Sequence, residues 1–264
     1  MRAGINILML GVVYKNVAFP LMFRMLDKRG NSNTAERIAL VRDFIAWFGR
    51  DRIDCLLADR EFVGEDWMDF LAQENIRYHI RIRNNFKVFC PRKQREIKAW
   101  HLFNDLKVGE LRHYNRIVRI NGQLCYPSGT KLVKDGKVDP LILVSFNRPH
   151  RAVEQYGMRW QVETLFRGLK SSGFNIEDTH VVILERLEKL MLLVMMAFVW
   201  CYKIGDFIDC QIRAIKIKKH GRRAVSVCRY GLDYLSRVLL TGGNELNINV
   251  VRFLSCTKAI HFNM

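Results

Sequence analysis

The first part of the chain carries the apolar pattern of a β-hairpin followed by a helix. A continuous apolar run from Ile5 to Tyr14 predicts a buried strand, and Val17–Leu26 predicts its hairpin partner. Pro20 has no N–H to donate to a neighbouring strand, so the second strand belongs at a sheet edge. Residues 35–47 then show a helical pattern, preceded by polar residues that can cap it.

The next segment predicts a short strand, a helix and an alternating strand. The apolar run Ile53–Ala58 stops at Asp59, and residues 64–73 follow with a helical pattern. Residues 76–83 alternate between apolar and basic positions, as in a strand with two different faces. The basic face is either a solvated outer surface or a surface that faces phosphate groups. It consists of Arg77, His79, Arg81 and Arg83.

Residues 86–146 predict a β-rich insertion, because short apolar runs alternate there with turn signals. These signals are Asn121-Gly122, Pro127-Ser128-Gly129 and Asp135-Gly136. A helix with Pro149 in its first turn, which Asn147 can cap, is then expected to run to about Ser171. The remainder is mainly helical. Its most apolar run, Leu190–Tyr202, is too short to span a membrane and predicts a buried core helix.

The charge of the chain narrows the class of partner. Lysine and arginine together number 43 against 26 acidic residues, and the formal net charge is +17. Such an excess attracts polyanions, so nucleic acid is the first partner to consider and an anionic membrane surface the second. The cysteines are widely spaced and contain no C-x-x-C pair, which argues against a zinc site or a disulfide framework and favours a reducing cytoplasm.

Candidate chemistry concentrates on the helix predicted after Pro149. At about 100° per residue, Arg159, Glu163 and Lys170 fall on the same edge of that helix as Tyr156. One edge of a core-facing helix therefore combines an aromatic ring, cations and a carboxylate. An ordinary salt-bridged helix would give the same geometry, with Glu163 paired to a neighbouring arginine.

The spacing of these four residues resembles a family signature. Tyr156-x2-Arg159-x3-Glu163-x6-Lys170 matches the Y-R-E-K signature of the IS-four family of insertion-sequence DDE transposases. Residues 57–67 also resemble the family segment around its second aspartate. Residues 220–223 and 229–234 are similar to its C-terminal region. The resemblance covers nearly the whole chain.

The resemblance implies an α/β fold with a ribonuclease-H-like (retroviral integrase-like) catalytic core, a β-rich insertion and a helical C-terminal region. Four ranges follow from it: 1–85 as the first part of the core, 86–146 as the insertion, 147–205 as the second part of the core with the glutamate helix, and 206–264 as a basic helical region.

The resemblance also implies a chemistry. Asp59 and Glu163 would be catalytic and would bind Mg2+, for which Mn2+ can substitute. Tyr156, Arg159 and Lys170 would contact DNA. The partners implied are double-stranded DNA, as transposon end and target, and a second copy of the chain in a synaptic complex. The location implied is the bacterial cytoplasm, at the nucleoid. Trp100, Tyr114 and Tyr126 are either platforms for a flipped base or core residues.

The chain departs from the family at its start. The family places its first catalytic aspartate on a strand just upstream of the segment that starts here at Ile5, and Met1-Arg-Ala-Gly supplies no such strand. We therefore expect an N-terminal truncation, with Asp27, Asp51 and Asp54 on the surface. Two functions remain: a Mg2+-dependent transposase, and a catalytically inactive remnant that only binds DNA.

Overall fold

The computed structural model describes residues 6–114, 116–147, 149–171, 173–242, 246 and 248–255. The chain separates into two compact units, with the boundary between Glu163 and Thr164. The sequence-predicted range 1–85 begins, and the range 206–264 ends, outside the described residues.

The architecture is mixed α/β. The strands are β1 Asn6–Tyr14, β2 Val17–Leu26, β3 Leu56–Ala58, β4 Tyr78–Ile82, β5 Lys87–Cys90, β6 Arg95–Lys98, β7 Leu111–His113, β8 Val118–Ile120, β9 Gln123–Lys134 and β10 Lys137–Phe146. The helices are α1 Thr34–Phe48, α2 Glu65–Gln73, α3 Ala152–Gly157, α4 Trp160–Ser171, α5 Leu184–Phe207, α6 Val227–Thr241 and α7 Val250–Ser255.

The N-terminal hairpin forms as predicted. β1 and β2 pair antiparallel, and Lys15 and Asn16 at the turn both have positive φ, as tight hairpin turns require. Pro20 lies opposite Gly11, directly at a shift in register. Within the described chain β2 pairs with β1 alone, so the predicted edge position is confirmed.

Helix α1 begins with a capping box and covers the hairpin. The side chain of Asn33 accepts from the backbone N–H of Glu36, whose carboxylate accepts in turn from the N–H of Asn33. Leu40 and Phe44 on its inner face join one apolar cluster with three hairpin residues. The three are Leu8, Met22 and Leu26.

The second sheet contains the main core of the first unit. Its strand order is β3-β4-β10-β9-β8-β5-β6, with β7 against β9. β3 and β4 are parallel, whereas β10 runs antiparallel to β4. β3 begins at Leu56, later than the predicted Ile53. The predicted apolar face at 76–82 is confirmed, since Ile76, Tyr78, Ile80 and Ile82 are all fully buried.

The prediction for the opposite face of β4 is wrong at His79. This side chain is completely buried, because α3 covers the face that the sequence assigns to solvent or phosphate. One ring nitrogen contacts Ser145 on β10, and the other contacts Gln155 on α3. Arg77 and Arg81, nearer the strand ends, remain partly exposed and form ion pairs with Asp54 and Asp139.

The turn predicted at residues 127–129 is also wrong. These residues lie within β9, between two turns that the sequence does predict, at 121–122 and 135–136. Gly129 is explained by packing, because a Cβ there would lie 2.5 Å from the ring of Phe103. The ring fills the space that a side chain would need.

The helix predicted to run unbroken to Ser171 is two helices. Around the break the backbone makes i→i−3 hydrogen bonds, from Arg159 N to Tyr156 O and from Val162 N to Arg159 O, each 3.0 Å. This tightened turn follows Gly157, which has low helix propensity. We call residues 157–160 the elbow.

The second unit is helical in its described part. α5 and α6 approach closely at two glycines: a Cβ on Gly205 would meet the backbone of Val227, and one on Gly231 would meet that of Cys201. The predicted buried core helix is only partly correct. One face of α5 is buried, but Leu193 and Trp200 are about half exposed.

By length and composition alone, residues 184–212 could cross a membrane, and 44% of the most apolar window is buried. Core helices of globular proteins share these properties.

Candidate active site

Asp59 is positioned by the end of β3 and by a short 3-10 turn. Its Oδ1 accepts from the backbone N–H of Arg60 at 2.8 Å, and its carbonyl accepts from the N–H of Phe62 at 2.9 Å. We call residues 59–62 the Asp59 turn. A side chain that caps its own turn has a restricted orientation, so the carboxylate direction depends on the turn.

The elbow places the other site residues against this carboxylate. The Tyr156 hydroxyl donates to Asp59 Oδ1 at 3.4 Å. Arg159 Nη2 contacts Glu163 Oε1 at 2.6 Å, and its Nη1 lies 3.9 Å from Asp59 Oδ2. One guanidinium therefore lies between two carboxylates that are far apart in sequence. The salt-bridged helix envisaged from the sequence is present, but its arginine also faces Asp59.

The site is a partly desolvated cluster of charges. Arg159 is 18% exposed, and its centre lies 5.5 Å from the Tyr156 ring, within cation–π distance. Burial lowers the pKa of Arg159, but the hydrogen bond to Glu163, with Tyr156 and Asp59 nearby, outweighs burial and raises the pKa overall. Burial raises the pKa of Tyr156 to about 12, so its hydroxyl stays a neutral donor.

Lys170 lies in the second unit, near the C-terminal end of α4. Its ammonium pairs with Glu177 at 2.7 Å. Four of the five residues selected from the sequence thus contact one another in the first unit, and Lys170 is engaged with a different carboxylate. Of the aromatic candidates, Tyr114 packs on the main core and Trp100 is 38% exposed.

The donor set can be tested against a divalent cation. Mg2+ takes oxygen ligands, keeps several waters and is commonly held by one or two carboxylates together with substrate phosphates. Asp59 and Glu163 fit that minimum. Throughout the described ranges, no group of three or more His, Cys, Asp or Glu residues could hold a metal. Arg159 Nε is buried and lacks a hydrogen-bond partner, so the guanidinium is not fully satisfied where it lies.

Two structural contributors were not identified from the sequence. Gln155, next to Tyr156, binds the buried His79 and holds α3 on the sheet. Arg37 on α1 contacts the Asp59 turn through the carbonyl of Glu61. A signal for Arg37 was present, because it lies three, four and seven residues before the buried positions 40, 41 and 44 of α1.

Comparison with known proteins identifies the family. A search of curated proteins found no match. A family model described as "Transposase DDE domain" matches residues 16–200, which is more than half of the chain. The matched range contains Asp59, Tyr156, Arg159, Glu163 and Lys170. Together with the geometry of the site, this match shows that the chain belongs to the DDE transposase family.

Proposed function

We propose that this chain is the catalytic core of an insertion-sequence transposase of the IS-four family, acting on phosphodiesters at transposon ends. The observation that supports it best is the shared guanidinium of Arg159. Asp59 from the sheet and Glu163 from α4 converge on it. The family pattern requires carboxylates from these two elements.

The proposed reaction consists of in-line displacements at phosphorus, first by water and then by the freed 3′-hydroxyl. When bound, Mg2+ or Mn2+ supplies Lewis-acid stabilisation of the attacking and leaving oxygens. Asp59 and Glu163 are the residues that would hold it. Phosphoryl transfer relies mainly on positioning and on electrostatic stabilisation, so the supporting residues matter as much as the ligands.

The protein's own residues supply orientation and charge. Tyr156, a neutral phenol, donates to Asp59 and restricts that carboxylate. Arg159 places its single positive charge against both carboxylates and so offsets part of their negative charge. We propose that Arg159 and Lys170 contact phosphates of the transposon end, the first as a planar fork and the second as a point charge.

The proposals for the fold of the core and for the partners rest on the same family membership. We propose a ribonuclease-H-like core in which β1, β2, β3 and β4 are core strands and residues 86–146 are the insertion. The partners proposed are duplex DNA and a second copy of the chain, in the cytoplasm. The net charge of +17 supports binding to a polyanion.

A second candidate is a catalytically inactive DNA-binding protein. The observation that favours it is the donor count, because Asp59 and Glu163 are the two carboxylates that contact Arg159 in the described chain. β1 and β3 also belong to different sheets, and no described strand joins them. Both candidates bind DNA, so DNA binding alone does not separate them.

Metal binding tests the site directly. Mn2+ is titrated into the chain and followed by electron paramagnetic resonance. Asp59→Asn and Glu163→Gln should each weaken binding at least about tenfold, because each removes a ligand. The matched controls are Asp54→Asn and Glu154→Gln, whose side chains pair with Arg77 and Arg151. Equal affinity in Asp59→Asn and the unaltered chain would reject the site.

The proposed contacts with DNA phosphates are tested by the salt dependence of DNA binding. Affinity for duplex DNA should fall with salt, with a slope of log K against log salt of about −0.9 per phosphate neutralised. Lys170→Gln should weaken binding to cleaved ends more than to uncut duplex. The control is Lys189→Gln, whose lysine also pairs with a glutamate. An affinity independent of salt would contradict the proposal.

A further inference from the structure

We propose that Arg37 is a positioning residue that fixes the Asp59 carboxylate by clamping the turn that follows it. This inference rests on the proposed function for its catalytic meaning. The clamp itself can be measured without metal or DNA.

Arg37 is an almost fully buried arginine at 7% exposure, with its guanidinium bound on two sides. Nε donates to the Ser32 hydroxyl at 2.9 Å, and Nη2 donates to the carbonyl of the same residue. Nη1 donates to the Glu61 carbonyl at 2.9 Å. The guanidinium therefore connects the start of α1 to the Asp59 turn. Since burying an arginine without partners is costly, these contacts are needed for it to remain there.

The stacking of Phe62 reinforces the connection. The Arg37 guanidinium lies 4.2 Å from the centre of the Phe62 ring. The same ring lies 6.3 Å from the ring of Trp67, which is only 2% exposed. Phe62 is thus in contact distance of a buried cation and a buried aromatic residue. Both the backbone and the side chain of the Asp59 turn are held.

The clamp reaches the carboxylate through two hydrogen bonds. Phe62 N–H closes the turn on the Asp59 carbonyl, and Arg60 N–H orients the Asp59 side chain. Arg37 contacts Glu61, which lies inside the turn, and the ring of Phe62, whose N–H donates this closing bond. If the clamp is removed, the turn can open and the carboxylate loses its fixed direction.

Arginine is specifically suited to this position. The clamp uses three nitrogens of one planar group while a face of that group stacks on a ring. A lysine ammonium is a single point charge and cannot reproduce the fork. The anchor at Ser32 is itself next to the capping box of α1, so the guanidinium starts from an ordered helix end.

The test measures the turn and the metal site separately. Amide hydrogen exchange by NMR reports Arg60 and Phe62 in the unaltered chain and in Arg37→Met, Arg37→Lys and Phe62→Leu. Mn2+ affinity is measured in the same proteins. Arg24→Met is the control, because Arg24 also forms an ion pair with α1, through Asp43, and its bonded partner lies outside the Asp59 turn.

We expect Arg37→Met to raise exchange at Phe62 about tenfold or more and to weaken Mn2+ binding about 10- to 100-fold, as loss of a supporting residue does. Arg37→Lys should not restore either value, and Phe62→Leu should show a smaller change in the same direction. Arg24→Met should leave both unchanged.

Unaltered exchange at Phe62 in folded Arg37→Met would overturn the clamp. Where Arg37→Met does not fold, unaltered exchange at Arg60 in Phe62→Leu overturns it. A third outcome is faster amide exchange at Phe62 in Arg37→Met together with no Mn2+ binding by the unaltered chain. It would reject the proposed metal site and support the clamp.

Discussion

The two sides of the candidate site are held by different chemistry. The Asp59 turn is held by Arg37, a buried cation. Helix α3, which carries Tyr156 and leads into the elbow, is held on the sheet by Gln155, which binds the buried and uncharged ring of His79. Arginine keeps its charge at all pH values that proteins encounter, whereas histidine exchanges a proton near neutrality. One side should therefore be insensitive to acid and the other sensitive.

The largest expected effect is on DNA cleavage and depends on the two carboxylates, Asp59 and Glu163, that the two sides of the site supply. We predict that this chain does not cut DNA at a useful rate, because Asp59 and Glu163 offset only part of the charge of two divalent ions. Two carboxylates also position the two ions poorly. The activation free energy of DNA cleavage should therefore be several kcal/mol higher, on the order of the loss seen when a stabilising group is removed. The measurement is cleavage of a supercoiled plasmid that carries transposon ends, with Mg2+ or Mn2+.

The cleavage assay compares this chain with a variant that is extended at its N-terminus by a strand ending in aspartate. Such a strand could pair with the available edges of β1 and β3 and should restore cleavage, which Glu163→Gln should then abolish. Robust cleavage by the 264-residue chain, lost in Glu163→Gln, would show that another carboxylate completes the site.

The second prediction concerns only the side of the site that α3 carries. His79→Leu leaves Ser145 and Gln155 without their partner in a fully buried environment. A buried polar group left unsatisfied costs about 1–3 kcal/mol, so the free energy of unfolding should fall by about that amount or more. Urea denaturation measures it. His101→Leu is the control, because that exposed ring stacks on Trp100. Equal loss in both variants would mean that the buried network contributes little.

The third prediction is a smaller, graded effect of pH. Burial lowers the pKa of His79; the Gln155 hydrogen bond and Asp54 oppose this, and the nearby charges of Arg77 and His150 add to it. The unfolded chain then binds a proton that the folded chain does not, from about pH 6.5 down to the folded-state pKa. Stability should be full above about pH 6.5 and fall as the pH drops through that window.

Unfolding free energies measured across this window check the sign. His79→Gln should flatten the dependence, and the slope that remains belongs partly to His113, whose pKa burial also lowers. A slope that is unchanged in His79→Gln would assign the pH dependence to other groups.

Much of the fold follows from local sequence signals, and the exceptions have a common cause. The β1–β2 hairpin and the buried face of β4 were predictable because period-two patterns and turn residues act locally. Asp59 and Glu163 were proposed from the resemblance to a family pattern, and both contact Arg159. The burial of His79 and the place of Gly129 in a strand depend on what packs against them, namely α3 and Phe103. No local pattern contains that information.

The elbow has a consequence for the direction of the Glu163 side chain. In an α-helix each residue advances about 100° around the axis, and in a 3-10 turn about 120°. A few tightly wound residues therefore change the angle at which the first residues of α4, up to Glu163, leave α3. The direction in which the Glu163 side chain leaves the helix axis toward Arg159 therefore depends on this 3-10 turn. One residue more or fewer between Gly157 and Trp160 would turn the carboxylate away, although every side chain of the site would still be present.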